Sequence, residues 1–217
     1  MQINIRRATI SDLDFIVESI VSAEKSNTDR LSYCTVFELE ESAFCTILRQ
    51  ILEEDIPGQE LALSSFLIAE SDGEHAGAVA AWVEDETQPG SFVKGGLLSH
   101  FLPEDSVLKA NSKSVLLDAV SIKRDPGAIQ IESVYVRGKF RGNSIAGMLI
   151  NSHIDQLRYG RPDIQKVQVI LSGNNMSALK SYEKEGFRVI YTKSSDNLKL
   201  LNLLPSASKL LMEKQLN

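Results

Sequence analysis

Residues 129–191 read as strand, helix, strand, helix, strand, and this order constrains the fold more than any other feature of the chain. The β-branched run 129–136 has strand character. Residues 142–159 carry apolar side chains at helical spacing and stop at Gly160 and Pro162. Val167-Gln168-Val169-Ile170-Leu171 is a second strand, Asn174 or Asn175 caps a second helix that Gly186 ends, and 187–191 is a third strand. Strands joined through helices in this way imply at least one parallel crossover.

Upstream, Ile3 and Ile5 alternate with polar neighbours as in a short strand. Ser11 and Asp14 have capping-box spacing, and Leu13, Ile16, Val17, Ile20 and Val21 predict a helix to about Lys25. A polar stretch, 26–35, leads to a second helix carrying Phe44, Leu48, Ile51 and Leu52 on one face, stopped by Pro57-Gly58. Residues 65–69 and 76–83 form a hairpin around the turn 71–74. Toward the end, 209–215 reads as a strand and 200–204 as a further one.

Pro89-Gly90, Gly95-Gly96 and Pro103 interrupt the pattern between 84 and 127. That stretch is too short for a core of its own, so it reads as an insertion within a single domain spanning 1–217. The fold class is α/β, with a mixed (α+β) sheet flanked by helices. With 43% apolar and 24% charged residues the composition is that of a globular chain, not a disordered one. A net charge of −6 argues against non-specific nucleic-acid binding. No run approaches the ~18 apolar residues of a membrane span, so the expectation is no membrane partner and a cytoplasmic location. Cys34 and Cys45 have no His or Cys partner at metal-ligand spacing, which predicts two reduced thiols and no metal.

Between the first strand and the helix of the 129–159 unit lies Arg137-Gly138-Lys139-Phe140-Arg141-Gly142-Asn143-Ser144-Ile145-Ala146. Cations alternate along the loop, and small residues open the helix. Free N–H groups and the positive dipole end of a helix attract anions, and small residues let a phosphate approach them. Arginine adds paired hydrogen bonds to phosphate oxygens. The alternative is a basic surface loop before an amphipathic helix. Neither the Walker phosphate loop nor the G-x-G-x-x-G dinucleotide pattern is present.

This segment resembles the acetyl-CoA signature of the GNAT superfamily, Gln/Arg-x-x-Gly-x-Gly/Ala. Arg141 and Ala146 match it, and Ser144 stands where the family has Gly, at a position expected to be helical. Downstream, Asn175, Ala178, Tyr182 and Gly186-Phe187 are similar to a second GNAT signature, N-x-x-A-x-x-x-Y-x-x-x-G-F. The resemblance covers about 131–192 and implies the GNAT-type acyl-CoA N-acyltransferase fold, with acetyl-CoA as co-substrate. It implies a cofactor site of Val134, Val136, Arg141, Gly142, Asn143, Ser144, Ile145, Ala146 and Asn175.

The implied chemistry is attack of a primary amine on the thioester in a ternary complex. An alkylammonium must first lose a proton. Glu132 is the candidate base, expected on the same strand face as Val134 and Val136, against the alternative of an idle strand carboxylate. The resemblance assigns an oxyanion-stabilising N–H to Val134, the pantetheine contact to the Val136 backbone, and the general acid to Tyr182. His75, His100 and His153 are expected to be structural or solvated, and nothing near Cys34 activates it as a nucleophile. Asp29, Arg30 and Tyr33 are candidate contacts to a small-molecule or peptide amine, and the chain has room to act as a homodimer. A non-catalytic acetyl-CoA sensor and an acyltransferase using another acyl-CoA donor stay open as alternatives.

Overall fold

The computed structural model describes residues 2–216. Seven strands, β1 (Ile3–Arg7), β2 (Phe66–Ser71), β3 (Glu74–Val83), β4 (Ile129–Val136), β5 (Lys166–Ser172), β6 (Arg188–Ser194) and β7 (Ser208–Gln215), form one mixed sheet. Their order is β1-β2-β3-β4-β5-β7-β6. Only β4 and β5 pair in parallel, joined by the crossover helix α7 (Ile145–Arg158). Helix α8 (Met176–Lys184) leads from β5 to β6, and β7 returns to pair with both.

Each sheet face buries a separate apolar cluster. On one face α1 (Leu13–Glu24), α3 (Glu41–Glu54) and α4 (Gly90–Phe101) pack Phe15, Ile16, Phe44, Leu48 and Leu98 against Phe66, Ala78 and Ala80. On the other, α7 and α8 pack Leu149, Ile150 and Tyr182 against Val79, Ile131, Val167 and Met212. Alternation along β3 explains the division: Ala78 and Ala80 join the first cluster, Val79 and Ala81 the second.

The alternation breaks in β4. Ala80 pairs with Glu132 and Ala78 with Tyr135, so Ser133 and Val134 together oppose Val79. This is a β-bulge, and Ser133 takes a left-handed φ of 50° to form it. The extra residue exchanges the faces. Before it, Ile129 and Ile131 point toward α7; after it, Val134 and Val136 do, and Tyr135 packs with the α1 cluster. The expectation that Glu132 shares a face with Val134 and Val136 is therefore wrong. Glu132 lies on the α1 side.

Several boundaries also move. The cap before α1 is formed by Thr9 and Asp12, not Ser11 and Asp14: the Thr9 amide and hydroxyl each donate to Asp12 at 2.8 Å. Asp12 also accepts from both Arg6 terminal nitrogens at 2.7 and 2.8 Å. A short helix, α2 (Ser32–Phe37), occupies part of the polar stretch 26–35. Residues 198–202 form a 3-10 turn, not a strand.

The 84–127 stretch holds three helices: α4, α5 (Glu104–Ser112) and α6 (Ser114–Asp118). A buried clamp fixes its start. Glu84 accepts from Trp82 Nε1 at 2.9 Å and from the Gly90 amide at 3.0 Å. A Cβ on residue 90 would lie 2.8 Å from both the Gly58 carbonyl oxygen and Trp82 Nε1. Gly90→Ala is expected to cost about 1–3 kcal/mol through this overpacking, read by urea denaturation.

Candidate active site

Backbone pairing between β4 and β5 covers only Ile129–Val167, Gln130–Gln168 and Ile131–Val169. Beyond it the strands part, just where the bulge bends β4. Their facing edges, 132–136 and 170–172, carry no ladder partner, while β5 stays fully paired to β7 on its other side. Unpaired strand edges are ready acceptors and donors for an extended amide-bearing chain.

A cavity of about 810 Å³ opens at this parting, lined by Glu132, Val134, Ile170, Asn175 and Tyr182, among others. Thus the structure brings together Glu132, Val134, Asn175 and Tyr182, all singled out in the sequence. Val136, Arg141, Gly142, Asn143, Ser144, Ile145 and Ala146 lie outside that lining, along the loop from the end of β4 to the start of α7.

Glu132 projects from the first residue beyond the parallel pairing. Burial pushes its carboxyl up to about 7, although Arg124 alongside works in the opposite sense. The side chain nonetheless keeps 22% accessibility, so a ligand can reach it. Tyr182 comes from α8, through the other face of the sheet. It packs edge-on to Phe187 at 5.5 Å and is buried. Burial, reinforced by the Glu132 charge, pushes its hydroxyl far above the usual phenol range, so it holds its proton at neutral pH. Among the described residues the hydroxyl has no hydrogen-bond partner, and α8 presents it to the cavity. Asn175 caps α8 by accepting from the Ala178 amide at 3.1 Å, and Asn27 donates to the same oxygen at 2.9 Å.

The basic loop is less uniformly available than its sequence suggests. Arg137 is bound to Glu18 at 2.5 and 3.1 Å and lies over the Phe15 ring at 4.6 Å. Lys139 pairs with Glu74. Arg141 is exposed, has no carboxylate partner among the described residues, and donates to the Val136 carbonyl at 3.1 Å. Ahead of α7, the amides of Ile145, Ala146 and Gly147 have no backbone acceptor among the described residues; the first bond is Met148 to Ser144 at 3.0 Å. Ser144 is not helical as expected. It is the N-cap with φ 57°, a left-handed conformation next to Gly142 at φ 84°.

Other expectations resolve as follows. Tyr33 lines the cavity, but Asp29 and Arg30 do not. His153 is a core residue bonded to the Val79 carbonyl at 2.8 Å, and burial lowers it to about 4. His75 stacks on Phe15 at 4.5 Å, and His100 is exposed. Cys34 and Cys45 are free thiols, and burial pushes both up, away from reactivity. No group of three or more potential metal ligands exists among the described residues.

A family model described as the acetyltransferase (GNAT) family matches residues 34–187. The chain belongs to this family. GNAT enzymes use acetyl-CoA, and the strand parting and the open amides of α7 fit it here. No curated protein sequence matches the chain. Among solved structures, an N-acetyltransferase from Staphylococcus aureus Mu50 superposes with a TM-score of 0.65 at 16% identity, covering 97% of this chain and 99% of that one. A protein from Salmonella typhimurium solved with its cofactor acetyl-CoA gives 0.53 at 14% identity, covering 100% and 95%. A spermidine/spermine N-acetyltransferase from Vibrio cholerae gives 0.56 at 13% identity, covering 99% and 95%. At such identities the likeness is one of fold. Among the described residues no helix is long and apolar enough to cross a membrane.

Sequence reasoning missed the charged side chains that surround Glu132: Glu24, Glu60, Lys94, Arg124 and Lys209 all line the cavity. They belong to no motif. One signal was available, since Lys94 is the only Lys, Arg, Asp or Glu in the twelve residues of α4.

Left-handed backbone costs a non-glycine residue about 1 kcal/mol. Ser144→Gly is therefore expected to raise unfolding stability by about that amount in chemical denaturation, with no loss of the anion-binding loop.

Proposed function

We propose that this protein is an N-acetyltransferase that passes the acetyl group of acetyl-CoA to a primary amine by direct attack in a ternary complex. The observation that carries this reading is the meeting, at one strand parting, of a carboxyl brought up to about 7 and a phenol that keeps its proton. These are the base and the acid that the reaction requires.

Acetyl-CoA, when bound, supplies an activated acetyl thioester. The backbone of Val134 and Val136 and the Asn175 region would hold its arm along the parted strands. Arg141 and the amides of Gly142, Asn143, Ser144, Ile145 and Ala146 would hold its phosphates. Glu132 accepts the proton of the incoming ammonium, directly or through one water. A carboxyl with a pKa close to neutral is matched to that task. The Val134 N–H provides a fixed donor where negative charge develops on oxygen. The Tyr182 hydroxyl donates its proton to the departing sulfur.

Calorimetric titration with acetyl-CoA and with desulfo-CoA tests the cofactor half. Saturable binding of both is expected, and binding of neither at millimolar concentration sinks the proposal. An amine panel read by thiol release tests the reaction. Tyr182→Phe is expected to keep cofactor affinity and lower kcat by about 10²-fold or more; unchanged turnover, or a protein that binds acetyl-CoA but acetylates no amine, would favour a sensor. For the wild type, kcat/KM should rise with pH through about 7 as Glu132 ionises, and Glu132→Gln should lose that rise. Arg141→Ala should weaken acetyl-CoA binding and flatten its salt dependence; unaltered affinity would place the phosphates elsewhere.

A further inference from the structure

Four charged side chains cross the acceptor side of the cavity in alternating sign. Lys94 of α4 donates to Glu60 at 2.9 Å. Arg124, from the segment before β4, lies 3.6 Å from the other Glu60 oxygen and pairs with Glu132 through the same terminal nitrogen. The Arg124 guanidinium also rests 5.1 Å from the centre of the Trp82 ring, which itself is clamped by Glu84. Both cations come from the 84–127 stretch, and the carboxylates come from the segment between α3 and β2 and from β4.

The two carboxylates are treated unequally. Burial alone would raise Glu60, but Lys94, Arg124 and the Tyr33 hydroxyl, 3.1 Å away, hold it at about 2. Glu132 is lowered by Arg124 in contact and by Lys94 at a distance, but burial, joined by the charges of Glu60 and Glu24, prevails there. Other groups face the same space: Glu24 from α1, Glu84 after β3, which also acts on Arg124, Tyr182 from α8, Lys209 from β7 and Lys123 beside Arg124. None of these is within ion-pair distance of Glu132, so Arg124 is the cation that touches it.

We propose that Arg124 is a positioning residue that orients the Glu132 carboxylate and favours its ionised form against burial by dividing its guanidinium between Glu132 and Glu60, so that the segment before β4 sets the pH at which the base works. This rests on Glu132 being the base proposed above. The arrangement is neutral as a whole, two cations against two carboxylates, which is the condition under which charges tolerate burial. When Glu132 takes a proton from an ammonium, the positive charge released into the site is shared between Lys94 and Arg124.

The test is a carboxyl 13C NMR titration of the protein labelled at glutamate side chains, with the Glu132 signal identified by its loss in Glu132→Gln. Arg124→Met is expected to raise the Glu132 midpoint by about one pH unit or more, and Arg124→Lys to bring most of it back. Glu60→Gln should move it the other way, because Arg124 then serves Glu132 alone. A midpoint that stays put in both Arg124→Met and Glu60→Gln, in chains that still bind acetyl-CoA, overturns the proposal. If Arg124→Met does not fold, Arg124→Gln takes its place: a raised midpoint supports the proposal, and no change or a fall overturns it. Turnover lost in Glu132→Gln with an unmoved titration defeats this inference and leaves the base intact. Full turnover in Glu132→Gln defeats both.

Discussion

The site depends on two parallel strands that stop pairing after three residues. A continuous ladder between β4 and β5 would leave no backbone free and no space at the sheet centre. The bulge at Ser133 bends β4 away and exchanges its two faces in the same step. Because of that exchange, the strand sends Glu132 toward α1 and Val134 toward α7, two residues apart in sequence but on opposite sides of the sheet. The cavity at the parting is where the two sides meet, and it is there that Tyr182, from behind, comes to share a space with Glu132, from in front.

Gathering so many charges in an enclosed space has a physical cost that only pairing offsets. The chain handles it by arranging Lys94, Glu60, Arg124 and Glu132 in alternation, with an aromatic ring beneath the guanidinium. The same economy governs the basic loop, where Glu18 and Glu74 already engage Arg137 and Lys139. What remains for a phosphate is Arg141 and the open amides, a smaller set than the run of cations implies. Backbone amides keep their donors whatever the surrounding charge, so an anion held there would rely on geometry as much as on net charge.

Much of this architecture was legible in the sequence where a regular period met a clear stop. The 129–136 strand matches β4 to the residue, and Ala178 and Tyr182 fall on α8 with Asn175 as its cap. Departures arose where local conformation was decided by tertiary contacts. Glycine at 133 would have advertised a left-handed residue; serine does not, so the bulge and its change of face were invisible. Helix α7 begins at Ile145, not at 142, because Gly142 and Ser144 stay left-handed in the loop. Helix α4 contains Gly95 and Gly96, each about 1 kcal/mol less helical than alanine, and is stabilised by burying Leu98 and by the Glu84 clamp. Glu60 and Arg124 carry no motif at all; their meaning comes only from the 64 residues of chain, 60–124 excluding the first, that fold back to bring them together.

The 84–127 stretch packs on the front of the sheet, while the loop and helices behind it are built from the contiguous segment 129–187. The stretch is tied to the rest of the chain: Val120 packs with Leu200, Leu203 and Leu204, and Asp125 accepts from Lys166 and Gln168 of β5. Lys94 on α4 and Arg124 in the segment before β4 set the charge at the front of the cavity, whereas Tyr182, Arg141 and the α7 amides belong to the part behind it. The charge at the cavity's front can thus be retuned one side chain at a time, with the loop and helices behind it left unaltered.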